Sequence, residues 1–166
     1  MLTENLRARI ESYINEHRRT REKFKARLKE LSSKGALCIN YPSKEKIEER
    51  LRRIKATFPQ YLLNFIAERG FDEIDVYKRA HLDRRIFSKL RNQKDYMPSK
   101  RTVLLIIFAM ELPLDEALRL LGKGGYSLSE LSRKDVIIKF FLENQIYDLF
   151  LVNEVLDHYG FKPLSS

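Results

Sequence analysis

The apolar residues of this chain recur almost everywhere at spacings of three and four, and this periodicity limits the fold more than any other feature. One turn of an α-helix takes 3.6 residues, so such spacings place apolar side chains on one helix face. Residues 3–33, 44–57 and 58–70 follow the pattern, and no alternating, strand-like run exceeds a few residues. The sequence therefore predicts a nearly all-α fold.

Breaks in the periodicity divide the chain into three parts. We expect residues 1–57 to form a basic N-terminal helical extension, residues 58–126 a central domain, and residues 127–166 a C-terminal helical pair. A first helix, capped by Thr3 and stopped at Gly35, is expected to pack on the body, and a coiled-coil dimer is the alternative. The C-terminal pair either packs on the central domain or forms a dimer interface.

The extension is predicted to contain a second helix. Residues 36–42 are expected to form a linker, and the helix begins after Ser43. Ile47, Leu51 and Ile54 share one side of it and are expected to face inward. Two basic helices would then precede the central domain.

The formal net charge of +9 is unevenly distributed. Residues 1–60 hold sixteen Lys/Arg against eight Asp/Glu, residues 81–101 hold seven against two, and residues 102–166 are acidic overall. Basic blocks attract polyanions, above all nucleic acids, because Lys and Arg neutralise phosphates and release counterions. Charge alone leaves DNA, RNA, an acidic protein and a membrane surface open.

Residues 74–92 are predicted to form two short helices joined by a tight turn. Asp75 starts the first helix, His81 and Leu82 make the turn, and Asp83 caps the second helix. This is the pattern of a helix-turn-helix.

Three apolar residues fix the orientation predicted for the second of these helices. Ala80 is small enough to let the two helices approach steeply, and Phe87 and Leu90 hold the second helix to the body. Its opposite side then faces outward, as a recognition helix does in the major groove. The outward residues are Arg84, Arg85, Ser88 and Lys89.

A loop and an apolar helix follow. Ser99 is predicted to cap residues 100–112, whose apolar side chains lie nearly all round the helix and place it centrally. Lys100 and Arg101 in the first turn form a predicted phosphate clamp, since helix N-termini attract anions. The next amphipathic helix is expected to stop at Gly122.

These segments together resemble a known family. Residues 58–122, with IDVYKRAHLDRRIFSKLRN and YMPSKRTVLLIIFAMELPLDEALRLL, resemble the five-helix domain of the phage repressor and Cro class, the XRE-type helix-turn-helix family. The resemblance implies a five-helix repressor-like core, binding of double-stranded DNA by a two-fold dimer, and transcriptional repression. It places base-reading side chains at Arg84, Arg85, Ser88 and Lys89, and phosphate contacts at Arg91, Lys94, Ser99 and Lys100.

The sequence departs from that family at Tyr77, where a small residue is usual, and at His81 and Gln93, where glycine is usual. Residues 58–166 also resemble a group of bacterial helix-turn-helix proteins of unsettled role, which share DVYKRA, DRR-F-K-R, GY-LS and a GF-PL-like ending. That group is sometimes attached to other functional domains, which keeps an adaptor role open.

We therefore expect a bacterial or phage protein that binds double-stranded DNA as a transcriptional regulator and reads the major groove with residues 83–92. The alternative is a helix-turn-helix adaptor for a partner protein in a toxin–antitoxin or phage-defence system, and RNA is a third candidate partner. A homodimer and a complex with a partner protein are both left open, and no cofactor is expected. The longest apolar run is broken by Glu111 and Pro113 short of the roughly 20 residues that span a bilayer, so a cytoplasmic location without membrane contact is predicted.

Catalysis has little support in the sequence. His17, His81 and His158 lie on different predicted elements without a Cys or Ser nucleophile at a suggestive spacing. No paired-His metal motif occurs. We expect the protein not to be an enzyme.

Overall fold

The computed structural model describes residues 4–33, 43–52 and 56–165 of the chain. In these ranges all regular structure is helical and no strand occurs, which confirms the predicted all-α class. The helices are α1 (Glu4–Ser33), α2 (Lys44–Arg52), α3 (Phe58–Glu68), α4 (Glu73–Arg79), α5 (Arg84–Asn92), α6 (Lys100–Ala109), α7 (Leu114–Lys123), α8 (Arg133–Glu143) and α9 (Leu149–His158).

Helix α6 lies at the centre of the fold, as its apolar sequence predicts. Residues 102–109 are all buried, and α4 and α7 pack against this helix. Helices α3, α4 and α5 contact one another, while α8 packs on α7 and carries α1 and α9. A helix that is apolar nearly all round is stable only when neighbours cover all of its faces.

In the described part of the chain, α3, α4, α6, α7, α8 and α9 end in the same way. The residue after each C-cap is left-handed, with φ between 51° and 74°. The N–H of the next apolar or aromatic residue then donates to the carbonyl five residues earlier, which makes a tight turn. The left-handed residues are Gly70, His81, Glu111, Gly125, Gln145 and Gly160.

Replacing His81 by Gly is expected to raise the free energy of unfolding by about 0.5 to 1 kcal/mol. His81 has φ of 51°, a left-handed conformation that is strained for an L-residue, and glycine relieves this strain. Glycine also loses more conformational entropy on folding, which offsets part of the stabilisation. Urea denaturation followed by circular dichroism measures the change. Gly70→Ala, with φ of 71° and open space around the added Cβ, is the control and should be destabilising. A destabilised His81→Gly protein would contradict the turn geometry.

Helix α6 ends at Ala109 and not at residue 112 as predicted, because Glu111 is left-handed with φ of 53° and turns the chain.

Two further predicted helix boundaries are wrong. Helix α4 begins at Glu73 rather than Asp75, because the side chain of Asp72 accepts a backbone hydrogen bond and caps the helix earlier. Helix α7 continues through Gly122, because the left-handed residue that follows its end is Gly125. Local turn geometry, and not the first glycine met along the chain, ends the helix.

The first half of α1 packs on α8. Arg9 Nη2 donates to Asn144 Oδ1 at 2.7 Å, and the ring of Tyr13 meets that of Phe140 edge-on at a centroid distance of 5.2 Å. Burial, and after it the neighbouring Glu143 carboxylate, raises the pKa of the Tyr13 phenol above its usual range. The predicted cap and stop, and the outer apolar side chains of this helix, lie outside the described residues: Thr3, Gly35, Phe24, Leu28 and Leu31.

Helix α2 does not face inward as predicted. Ile47 is 46% and Leu51 58% exposed. Seven of the nine residues in α2 are charged, so the helix has too little apolar surface to hold it against the body. The predicted linker, residues 36–42, and Ile54 lie outside the described residues.

The C-terminal helices α8 and α9 bury most of their apolar surface within this one chain. Helix α8 contacts three other helices, α1, α7 and α9. Phe150, at 75% exposed, is the exception among the large apolar residues of the pair. The fully or largely buried members are Val136, Ile137, Phe140, Phe141, Val152, Val155 and Leu156.

Candidate nucleic-acid interface

Two capped helices and a tight turn form the helix-turn-helix segment. The Asp83 carboxylate accepts a hydrogen bond from Arg85 N at 2.7 Å and begins α5 at the predicted place. Ala80 is fully buried where α4 ends, and His81 turns the chain. Because the same four-residue connection joins α3 to α4 and α6 to α7, the turn alone does not distinguish α5.

The anchors of α5 are buried as predicted. Phe87 and Leu90 lie in the core, on the side of α5 that meets α3 and α4. Tyr77, at a position where the resembled family has a small residue, is half-buried, and its ring centroid lies 5.8 Å from that of Phe87. The larger side chain therefore fills space beside the anchor. Gln93 has φ of −122°, so this position does not require glycine.

The outward face of α5 begins with two arginines. Arg84 and Arg85 are exposed, and neither guanidinium has an ion-pair or hydrogen-bond partner among the described residues. Lys89 is also exposed and lies 5.5 Å from the ring centroid of Tyr96. Ser88 is half-buried and accepts a hydrogen bond from the side chain of Asn92 at 3.3 Å.

Two further predicted contact residues lie near the end of α5. Arg91 Nη1 is 2.6 Å from Glu73 Oε2, and the Arg91 side chain is 52% exposed. Such an exposed pair contributes about 0 to 1 kcal/mol and exchanges readily for another anion. Lys94 is exposed and has no partner in the part of the chain that the structure describes.

The first turn of α6 holds the C-terminal region to the body. Ser99 accepts a hydrogen bond from Thr102 N at 3.2 Å and caps the helix as predicted. Lys100 Nζ lies 2.7 Å from both carboxylate oxygens of Asp135, and Arg101 Nε donates to the Leu164 carbonyl at 2.5 Å. Both cations predicted as phosphate contacts therefore have internal partners.

Asp135 lies in the first turn of α8, where Ser132 and Asp135 have the spacing of a capping box. The side chain of Ser132 does accept a hydrogen bond from Asp135 N at 3.3 Å. The Asp135 carboxylate, however, accepts from Ser129 N at 2.9 Å and pairs with Lys100. A buried aspartate needs a charged or N–H partner, and only the tertiary structure identifies it.

Positive charge is concentrated around this pair. Burial lowers the pKa of Lys134, the charge of Arg101 lowers it further, and the nearby Asp135 carboxylate opposes the shift. Lys134 Nζ also donates to the Lys162 carbonyl at 2.7 Å. The cations Lys100 and Arg101 of α6 and Lys134 of α8 therefore lie close to one another, with the Asp135 carboxylate beside them.

No family model, curated protein or solved structure matches this chain. In the ranges that the structure describes, no three His, Cys, Asp or Glu side chains lie close enough together to hold a metal ion. Over the same residues, no helix is both long and apolar enough to cross a bilayer. The resemblance to the repressor class thus stays a prediction that rests on the residues of α3 to α7.

Proposed function

We propose that this protein binds double-stranded DNA through α5 and regulates transcription, with α3 to α7 acting as a five-helix repressor-like domain. The first turn of α5 carries this proposal. Arg84 and Arg85 directly follow the capping Asp83, and both side chains are exposed and without a partner among the described residues.

Fold stability alone does not account for cations at this position. A helix N-terminus carries partial positive charge, so a cation there is unfavourable by about 0.3 to 1 kcal/mol. Helices α4 and α7 begin instead with two acidic residues each. Helices α6 and α8 also begin with cations, but Asp135 neutralises Lys100 and lies in the first turn of α8. Beyond the Asp83 cap, Arg84 and Arg85 gain a counter-charge only from an external polyanion.

The geometry of α5 suits the major groove. Phe87 and Leu90 fix one side of the helix on the body, so the opposite side enters the groove as a rigid unit. An arginine there donates two hydrogen bonds to O6 and N7 of a guanine. Lys89 and Lys94 then lie toward the phosphates, and Arg91 exchanges its exposed carboxylate for a phosphate. Two copies on one operator would read half-sites about 34 Å apart.

Arg84→Ala and Arg85→Ala are each expected to weaken binding to a selected duplex by about 1 to 3 kcal/mol and to relax the base preference at one position. Selection from a random duplex pool supplies the sequence, and fluorescence anisotropy at several salt concentrations supplies the affinities. Random duplex should be affected much less, because non-specific binding depends on total charge.

Arg119→Ala is the matched control, since it removes an exposed cation from α7. It should keep the wild-type preference for the selected duplex. Wild-type protein that binds every duplex equally weakly, with no effect of the α5 substitutions, would contradict the proposal. Tighter binding to RNA would assign α5 to that partner, and a strict monomer that captures a protein would favour the adaptor.

A further inference from the structure

The first half of α1 packs on the body through α8. Arg9 contacts the end of α8 at Asn144, while Arg18 lines a cleft with Arg133 at the start of α8, so the two helices run antiparallel. Beyond this contact the helix continues for residues 18–29, which we call the basic arm. Every side chain of the basic arm whose burial the structure describes is exposed. At 1.5 Å per residue the arm is about 17 Å long.

The base of the basic arm lies on the side of the body where α6 begins. Its base lies beside Arg133, and two residues along α8 the Asp135 carboxylate binds Lys100 in the first turn of α6. The loop of residues 93–99 joins this turn directly to the end of α5. The base of the arm therefore lies on the same side of the body as the first turn of α6, which this loop connects to α5.

The like charges of the basic arm repel one another and destabilise the helix. It holds seven Lys/Arg and a single Glu. Arg19, Lys23 and Arg27 form one row at four-residue spacing, and residues 21, 25 and 29 form a second. Like charges four apart lie side by side on a helix and destabilise it by about 0.2 to 0.5 kcal/mol per pair. Glu22 forms an ion pair with Lys25 at 3.8 Å, and both side chains are more than half exposed.

We propose that the basic arm is a second contact with duplex DNA, which follows the phosphates beside the site read by α5. This inference rests on the proposed function of α5. Duplex DNA presents one negative charge per 1.7 Å or so, which matches two rows of cations along a helix of this length. The contact adds affinity and no sequence preference, because it reaches phosphates and not base edges.

Replacing Arg19, Lys23 and Arg27 with Gln is expected to lower the salt dependence of binding to a 40-base-pair duplex. Each phosphate contact contributes about 0.9 to the slope of log affinity against log salt, so the slope should fall by about 2 to 3. The matched control is Lys44→Gln/Lys46→Gln/Arg50→Gln, which removes three cations from the exposed helix α2. The control should leave the slope nearly unchanged, and circular dichroism of both variants should show intact helices.

Two further measurements separate this inference from the function of α5. The arm variant should keep the full preference for a selected sequence, which Arg84→Gln should relax. On a duplex trimmed to the α5 site, the arm variant and wild type should have the same slope. Equal slopes for arm variant and α2 control on the long duplex would overturn the arm contact alone.

The remaining outcomes also have defined meanings. The salt slope could fall in the arm variant while the wild type shows no sequence preference. This result would support the contact of the arm with DNA and overturn the role of α5 in reading bases. Tighter binding of the wild type to anionic phosphatidylserine vesicles or to RNA than to duplex DNA, lost in the arm variant, would overturn duplex DNA as the partner of the arm.

Discussion

Replacing Phe87 by Ala is expected to lower the free energy of unfolding by about 3 to 5 kcal/mol. The Phe87 side chain is almost completely buried and its ring contacts that of Tyr77. Removing it leaves a cavity where α5 meets α3 and α4, and these short helices have little intrinsic stability without their shared core. Chemical denaturation measures the loss of stability, and heteronuclear NMR shows whether it extends through α3 to α5.

A milder variant separates stability from DNA binding. Phe87→Leu keeps most of the apolar volume, so the fold should persist while the tilt of α5 becomes less well fixed. Preference for the selected duplex should then fall more than affinity for random duplex. Ile74→Ala, at an exposed site on α4, is the control and should change stability by no more than about 0.5 kcal/mol. A Phe87→Ala protein as stable as this control would contradict the placement of the anchor.

Replacing Asp135 by Asn is expected to change two properties in opposite directions. Stability should fall by about 2 to 3 kcal/mol, because Lys100 keeps its charge in a largely covered site without a counter-charge. Its ammonium is only partly buried, so the loss is smaller than for a fully enclosed pair. Duplex binding should become tighter, with a salt slope steeper by about one, because Lys100 is freed to meet a phosphate.

Lys100→Met supplies the control for this second prediction. It should also destabilise the protein, since the buried Asp135 keeps its hydrogen bond from Ser129 N but loses its paired ammonium, but the salt slope should not change. Combining the two substitutions should cost less than their sum by about 0.5 to 3 kcal/mol, the range for residues in direct contact. If the salt dependence of duplex binding is weaker in Lys100→Met than in the wild type, Lys100 already contacts phosphate in the wild type.

The segment around α5 was the most predictable part of the candidate site. Its cap at Asp83, its buried Phe87 and Leu90 and its exposed arginines all follow from residue type and helical spacing. Glycine at position 93, which the resembled family favours, proved unnecessary because Gln93 is extended there. The internal hydrogen-bond partners of Lys100 and Arg101 were not predictable, because they lie 35 and 63 residues away along the chain.

The sequence by itself determined the helical class, the central place of α6 and the side of α5 that turns outward. These features depend on the spacing of apolar residues within one helix, and this spacing can be read directly from the sequence. The tertiary structure decided that Ile47 and Leu51 are left exposed, that Asp135 neutralises Lys100, and that the first half of α1 packs on α8. Such outcomes depend on which distant surfaces come into contact, and burial and ion pairing between distant residues leave no periodic signal in the sequence.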